Sequence, residues 1–251
     1  MQTTTAQTTP RHPAPDDDEL LVNYNDAVMY GRDWKLLVTN GWLNDACIHY
    51  HLQRLQHRYG QSNNQFVLLD PAVVSFLVHQ ADADDRREFR AQHKLQDNSD
   101  MHILIPINDS MVTRADWWNM AGTHWTLLHY RQQQQQQQHA RIRPLWRHYD
   151  SMATTCTSRN SQAAQTVARI LCWNNDADDT AIIESIAVPQ QTNGYDCGIH
   201  VLATIENILQ QGTTDDAIIS HVDCSALRRE IADDVLAQAA IFLPAQKKTT
   251  T

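Results

Sequence analysis

The chain has 251 residues, a length that suits one sizeable domain. Hydrophobic residues make up 42% of the sequence and charged residues 20%, which is ordinary for a globular protein. The formal net charge of -9 argues against sequence-independent nucleic-acid binding, because neutralising phosphates requires clustered lysine and arginine, and it favours a basic protein partner or substrate.

Composition also argues against export, membrane insertion and metal binding. The first 18 residues contain no apolar stretch of signal-sequence type, and no later run approaches about 18 apolar residues. The five cysteines lack C-x-x-C spacing and the 13 histidines are scattered, so neither a disulfide framework nor a zinc site is indicated. We expect an intracellular protein, cytoplasmic and/or nuclear, without metal or cofactor.

The first third of the chain begins with a tail and leads into helices. Residues 1–18 are rich in threonine, glutamine and proline, which predicts a disordered tail. From Glu19 the pattern predicts short strands or turns, and then a helix with Asp45 as its N-cap and Gly60 as its C-cap. The run FVLLDP predicts a short strand, and Pro71 opens a second helix. Residues 82–100 are interpreted as a charged, solvated connection.

The remainder alternates between apolar runs of strand length and helical segments. Strands are predicted in the runs MHILIPIND, HWTLLHY, IRPLWRHYD and AIIESIAV, and helices in SQAAQTVARIL, CGIHVLATIENILQQG and LRREIADDVLAQAAIFL. This order predicts an α+β domain over residues 19–243, with a sheet flanked by helices. The glutamines at 132–138 are predicted to form a surface loop, and residues 244–251 a second disordered tail.

Two strand-like runs carry a histidine and an aspartate that a hairpin would bring together. If HWTLLHY and LWRHYD pair antiparallel around residue 137, His124 and Asp150 lie side by side. The carboxylate would then keep one imidazole nitrogen protonated, so that the other nitrogen could accept a proton. The length of the loop leaves this register free to slip.

Cys197 is placed where the turn PQQTNGYD gives way to an apolar helix. A thiol at a helix N-terminus is a favourable position for a thiolate, because unpaired backbone N–H groups and the helix dipole stabilise the anion. Gly198 removes side-chain bulk beside it. Gln191, on the approaching loop, carries an amide that could donate to an oxyanion forming near the sulfur.

Four motifs in this order resemble the ubiquitin-like-specific cysteine protease family: WLND (42–45), GTHWTLLHY (122–130), HYDS (148–151) and QTNGYDCG (191–198). The resemblance spans about residues 20–212 and implies a papain-like fold with a central mixed sheet. It implies a catalytic triad of His124, Asp150 and Cys197 with Gln191 as oxyanion donor. It also implies Trp42 and Trp125 at a Gly-Gly channel and Asp45 at the modifier surface, with no cofactor.

PIND (106–109) shortly before AGTHWTLL resembles the deneddylase branch, which removes a ubiquitin-like modifier ending in Gly-Gly. SUMO proteases are the nearest alternative, so the expected partner is the neddylation modifier, or next SUMO, with its conjugates. The sequence departs from the family in the glutamine insertion, the Trp117–Trp118 pair and the C-terminal helical segment. These departures put in doubt the substrate specificity that loops would confer, but not the catalytic chemistry that the resemblance implies.

Simpler roles compete with each assignment. The other four cysteines are expected to be inert packing residues, and His129, His148 and His200 to be surface or core polar groups. Trp42 and Trp125 could be core aromatics, Gln191 an ordinary loop residue, and Asp45 only a cap. At the level of function, the rivals are an acyltransferase with the same triad and a catalytically inactive module that binds a ubiquitin-like protein.

Overall fold

A computed structural model of the chain describes residues 14–60, 65–93, 101–112, 122–131, 145–153, 157–171, 181–211 and 221–247. Its strands are β1 Leu20–Tyr24, β2 Ala27–Tyr30, β3 Phe66–Leu68, β4 His102–Asn108, β5 Trp125–Arg131, β6 Leu145–Tyr149 and β7 Ile183–Ile186. Its helices are α1 Gly31–Val38, α2 Asp45–Tyr59, α3 Pro71–His79, α4 Ala83–Gln92, α5 Thr157–Leu171, α6 Cys197–Gln211 and α7 Cys224–Lys247.

A five-stranded mixed sheet in the order β3-β4-β5-β6-β7 forms the centre of the fold. The two outer pairs, β3 with β4 and β6 with β7, are parallel, whereas β4, β5 and β6 pair antiparallel. All residues of β4 and β5 except the last of each strand are buried, which explains why both read as continuous apolar runs. The α+β prediction is confirmed.

Helices cover this sheet and fix the strand ends on which the site is built. Helix α6 packs on β5, and α3 and α5 pack on β4. Ten of the 15 residues of α6 are buried, as expected for a helix that is apolar nearly all round. The last helix, α7, packs against α1, α6 and the small β1-β2 hairpin, so the C-terminal segment belongs to the core.

The β5–β6 hairpin was predicted correctly, but its register is wrong by two residues. Leu127 pairs with Tyr149 and Leu128 with His148. The hairpin is therefore centred on residue 138 rather than on residue 137, and His124 is not directly opposite Asp150. Side chains alternate with period 2 along a strand, so a shift of two residues leaves each on the same face. The two side chains therefore still meet.

Two helical features differ from the sequence-based expectations. The N-cap of α2 is Asn44, whose side chain accepts from the Cys47 amide at 3.1 Å, and Asp45 is the first helical residue. Part of the segment interpreted as a solvated connection forms α4, because Asp82 and Asp85 make a capping box at its start. Gly60 is the C-cap of α2, and Pro71 opens α3, as predicted.

Ordered structure extends into both segments that the composition predicts to be disordered tails. Lys35 and Arg32 of α1 form ion pairs with Asp17 and Asp18 at 2.6 and 2.7 Å, so the end of the expected N-terminal tail lies against this helix. Helix α7 continues to Lys247, beyond the predicted boundary at 243.

Several predictions fall on parts of the chain outside the described residues. These are the glutamine run at 132–138, most of the two tails, the Trp117–Trp118 pair, Gly212, Cys156 and Cys172. Within the described ranges, none of the helices has the length and apolar character needed to cross a membrane.

Candidate active site

His124 and Asp150 flank the central hairpin and are hydrogen-bonded to each other. His124 comes directly before β5 and Asp150 directly after β6, and Nε2 of the histidine lies 2.7 Å from Oδ1 of the aspartate. Both side chains are almost fully buried. The same carboxylate oxygen accepts from the Met152 amide at 2.8 Å, so two donors hold Asp150 in place.

These contacts determine the charge of the pair. Burial on its own would lower the pKa of His124, but the hydrogen bond to Asp150 and the neighbouring Cys197 raise it to about 9. For Asp150, burial acts to raise the pKa, yet the contacts with His124 and the Met152 amide leave it lowered. At neutral pH the arrangement therefore favours an imidazolium facing a carboxylate.

Cys197 is the first residue of α6 and is 2% exposed. Its side chain interacts with the His124 ring, whose Nε2 is hydrogen-bonded to Asp150. The neighbouring Gly198 has a packing role that the sequence did not reveal, since a Cβ there would lie 3.1 Å from Leu43 Cβ and 3.3 Å from Ile48 Cδ1. This close approach seats the start of α6 against the loop before α2.

Gln191 lies on the loop that leads to Cys197 and is fixed at both ends of its amide. Ser151 donates its hydroxyl to Oε1 at 2.7 Å, and Nε2 donates to the Asn193 carbonyl at 2.6 Å. Its backbone N–H also donates to the Ser151 carbonyl at 2.9 Å. Next to it, Gln190 Nε2 donates to the Asp150 carbonyl at 3.0 Å, so the turn after β6 and the cysteine loop are joined.

The three predicted substrate-contacting residues differ in exposure. Trp42 is 56% exposed, and its indole N–H donates to the Gly194 carbonyl at 2.7 Å. Trp125 is 7% exposed and donates to the Leu43 carbonyl at 2.8 Å. Asp45 is exposed at the start of α2. Trp42 is therefore not a core aromatic, whereas Trp125 is buried beside the site.

Asp109 is a site residue that reasoning from the sequence missed. It follows β4 directly and is 5% exposed. Its carboxylate accepts from the Thr123 amide and hydroxyl at 2.6 and 2.7 Å and from the His124 amide at 3.3 Å. Asp109 thus fixes the backbone at Thr123 and His124. An aspartate that ends an apolar strand was the available signal, since a buried carboxylate needs donors.

Two further cysteines and three further histidines lie in surroundings that suit packing or hydrogen bonding rather than catalysis. Burial raises the pKa of Cys47 to about 12 and that of Cys224 to about 11, which keeps both protonated. His148 is buried with its Nε2 2.9 Å from Thr126 Oγ1, and His129 and His200 are also buried. Among the described residues, no three His, Cys, Asp or Glu side chains form a group that could hold a metal ion.

Comparison with known proteins connects this geometry to a family. The sequence profile described as Ulp1 protease family, C-terminal catalytic domain, matches residues 41–240. The chain is 27% identical over 202 residues to the probable sentrin-specific protease 8 of Dictyostelium discoideum, covering 77% of this chain and 76% of that protein. It is 28% identical over 195 residues to NEDD8-specific protease 1 of Arabidopsis thaliana, covering 77% of each.

Solved structures show the same fold. The C-terminal Ulp1 protease domain in complex with Smt3, the yeast ortholog of SUMO, matches with a TM-score of 0.58 and 20% identity over 90% of each chain. The Xanthomonas campestris effector XopD bound to ubiquitin matches with a TM-score of 0.53 and 21% identity, covering 92% of this chain and 100% of that one.

Proposed function

The chain belongs to the Ulp1 protease family, and from this membership we propose that it is a thiol isopeptidase and endopeptidase acting after the C-terminal Gly-Gly of a ubiquitin-like modifier. The observation that carries the proposal is the first residue of α6, Cys197, lying beside an imidazole that is hydrogen-bonded to Asp150 at 2.7 Å. We assign Cys197 as the nucleophile, His124 as the general acid and base, and Asp150 as the residue that orients His124.

The proposed reaction has two steps. The Cys197 thiolate attacks the carbonyl carbon of the terminal glycine, the amide C–N bond breaks, and the His124 imidazolium gives its proton to the leaving amine. This forms a thioester between Sγ and the modifier. A water molecule then loses a proton to His124 and attacks the thioester carbonyl, and the sulfur leaves as a thiolate. The products are the free modifier and an amine.

Gln191 is assigned as the donor to the oxyanion that forms on the attacked carbonyl. Its amide orientation is set by Ser151, which donates its hydroxyl to Oε1, and by Asn193, whose carbonyl accepts one N–H of Nε2 and leaves the second N–H for the oxyanion. A preoriented donor stabilises developing charge without reorganising during the reaction. Trp42 and Trp125 are assigned to the walls of the Gly-Gly channel, and Asp45, exposed at the start of α2, to the modifier surface.

We propose NEDD8, the neddylation modifier, as the preferred substrate, because the Arabidopsis thaliana relative is a NEDD8-specific protease. SUMO is the alternative, supported by the fold shared with a protease domain solved in complex with Smt3. The catalytic unit is proposed to extend over residues 19–243. A reducing intracellular location, cytoplasmic and/or nuclear, suits a free thiol nucleophile and the free Cys47 and Cys224.

The substitution Cys197→Ser tests the assignment of the nucleophile. We expect no measurable turnover of a NEDD8 substrate with a C-terminal amide, together with nearly unchanged NEDD8 binding, because the change removes the covalent step and little surface. Cys47→Ser is the matched control, since that buried thiol lies outside the proposed site. Turnover by Cys197→Ser near the wild-type rate would disprove the assignment, and binding without turnover in the wild type would favour an inactive binding module.

A further inference from the structure

Arg228 of α7 is a buried cation that makes four hydrogen bonds. The residue is 2% exposed, and Nε donates to Asp196 Oδ1 at 2.7 Å. Nη1 donates to the Leu36 carbonyl at 3.0 Å, and Nη2 donates to the carbonyls of Gly41 and Tyr195, also at 3.0 Å. A buried charge is costly unless it is paired and hydrogen-bonded, so this arrangement indicates a specific role.

The partners of Arg228 belong to two segments, and each of these segments leads to a residue of the proposed site. Leu36 and Gly41 belong to the end of α1 and the segment that leads to Trp42. Tyr195 and Asp196 immediately precede Cys197. The same two loops are also joined at the surface, where the exposed Trp42 indole donates to the Gly194 carbonyl at 2.7 Å. The loops are therefore connected once at the surface and once from the interior.

Asp196 extends the contacts of Arg228 to the start of α6. Its second carboxylate oxygen accepts from Asn193 Nδ2 at 2.7 Å, and Asn193 Oδ1 accepts from the amides of Tyr195 and Asp196 at 3.0 Å each. The Asp196 carbonyl accepts from the His200 amide at 3.0 Å, which forms part of the first turn of the helix. A displacement of Asp196 would consequently move the backbone that carries the Cys197 sulfur.

We propose that Arg228 is a positioning residue that sets the spacing between the Trp42 loop and the Cys197 loop, and so the position of Trp42, one wall of the glycine channel, relative to the Cys197 sulfur. The proposal rests on the proposed function in that it needs a Gly-Gly substrate to reach Cys197 past Trp42. A guanidinium suits this task because its rigid, planar fork donates in several fixed directions at once, whereas a lysine ammonium is a compact point charge on a flexible stem.

The test compares Arg228→Met and Arg228→Lys with the matched control Arg54→Met. Arg54 also joins α7 to another helix, through two hydrogen bonds to Asp234 at 2.7 and 2.8 Å, but it contacts neither loop. Steady-state kinetics are measured on NEDD8 with a C-terminal fluorogenic amide, ending in Gly-Gly or in Gly-Ala, at a temperature where circular dichroism shows each variant folded. Alkylation of Cys197 by iodoacetamide, which needs no modifier, is followed in parallel.

We expect both Arg228 variants to lose about 100-fold in kcat/KM on Gly-Gly, the cost of a misplacement of about 1 Å, and to discriminate less against Gly-Ala. Alkylation of Cys197 should slow by about 10-fold in both, because its alignment with His124 changes. Arg54→Met should match the wild type in all three measurements. If Arg228→Met does not fold, Arg228→Lys, which retains the charge, supplies the comparison.

Two results would overturn the role of Arg228: kinetics and alkylation equal to those of Arg54→Met, or complete recovery in Arg228→Lys, which would mean that charge alone suffices. Failure of the proposed function gives a different pattern. A wild-type protein that does not cleave NEDD8-Gly-Gly, but whose Cys197 alkylation still depends on Arg228, would reject the proposed substrate and support the positioning role.

Discussion

Among the single residues of the site, His124 is subject to two opposing influences. Its burial favours the neutral ring, whereas Asp150 and Cys197 favour the charged ring. Because the contacts with Asp150 and Cys197 outweigh burial, the pKa of His124 is raised to about 9. A histidine with a raised pKa is charged at neutral pH and becomes neutral as the pH rises through that value. The resting site therefore holds a charged imidazole hydrogen-bonded to the Asp150 carboxylate, which suits the proton donor that the proposed first step requires.

Removing the charge of Asp150 should alter both the rate and its pH dependence. We expect Asp150→Asn to lower kcat by at least about 100-fold, because the imidazole loses its orienting carboxylate. The pKa of His124 should fall, so the alkaline decrease in kcat/KM should begin at lower pH than in the wild type. Rates measured from about pH 6 to about pH 10 would show both effects.

Asp233→Asn, a change at an exposed position of α7, is the control for the loss of one carboxylate. An Asp150→Asn enzyme whose alkaline limb coincides with that of the wild type would mean that Asp150 does not set the pKa of His124.

Asp109 should matter for catalysis without touching the substrate. The substitution Asp109→Asn replaces an acceptor oxygen by an NH₂ group that faces the donors of Thr123 and His124. We expect a loss of about 1–3 kcal/mol in the free energy of unfolding. We also expect kcat/KM to fall by about 10-fold or more as the histidine backbone shifts. Urea unfolding and kinetics would check this, and unchanged values for both would refute the role.

At the scale of the secondary-structure elements, strands β4 and β5 and helix α6 could be predicted because each is a mostly apolar, buried run with few alternatives. Helix α4 could not be predicted this way, since none of its residues is fully buried and its start is stabilised by Asp82 and Asp85 instead. The position of the N-cap of α2 was missed by one residue because both Asn44 and Asp45 are good caps. The sequence thus predicts that a polar cap begins α2, but it does not distinguish between two adjacent capping residues.

The hairpin register shows which part of the site was predictable. The identities of His124, Asp150 and Cys197 came from motifs. The proximity of His124 and Asp150 followed from the predicted hairpin, because its register differs from the observed one by only two residues and has the correct parity. The contacts of Asp109 and Arg228 were not predictable, because they join separate segments of the chain, and Arg228 is 32 residues from Asp196. Contacts between distant segments leave no periodic pattern in a sequence.

The glutamine run should be dispensable, because the hairpin is held by five residue pairs between β5 and β6, from Leu127–Tyr149 to Arg131–Leu145. Replacing residues 132–144 with Asn-Gly gives a two-residue turn between Arg131 and Leu145. We expect kcat/KM within about 3-fold of the wild type, since the chemistry lies at the other end of both strands. A folded deletion variant without activity would show that this segment contributes to the site.

A buried histidine pair between β4 and β5 should make the fold sensitive to acid. His102 Nδ1 lies 2.9 Å from His129 Nε2, and burial, together with nearby positive charges, lowers the pKa of His129 to about 3. The unfolded chain takes up this proton near pH 6.5. Titration of His129 therefore leaves the free energy of unfolding unchanged above about pH 6.5. As the pH falls from there toward 3, the free energy of unfolding decreases by up to about 1.4 kcal/mol per pH unit.

The substitution His129→Met removes this titration. We expect the free energy of unfolding to depend less steeply on pH between about 6 and about 4 than in the wild type. The exposed His221 provides the control His221→Met, which should retain the wild-type slope. Urea unfolding at several pH values would measure both, and equal slopes for His129→Met and the wild type would contradict the account.

On the scale of the whole molecule, α7 joins parts of the chain that hold the site. Besides the contacts of Arg228, its Ala232 carbonyl accepts from Trp34 of α1, the helix that precedes Trp42, at 3.1 Å. The C-terminal segment, which matched no recognised motif, thus forms part of the frame of the proposed active site. This is consistent with the family match, which extends to residue 240.

The central claim is that Cys197 is the nucleophile of a protease for a ubiquitin-like modifier, with NEDD8 preferred. The most direct test incubates the 251-residue protein with NEDD8, SUMO and ubiquitin probes that each carry an electrophile in place of the terminal glycine carboxylate. Intact mass and peptide mapping then identify the adduct. We expect one NEDD8 molecule per chain, attached at Cys197, with slower labelling by SUMO and ubiquitin and none in Cys197→Ser. Failure of all three probes to label the folded protein, or labelling at another cysteine, would contradict the claim.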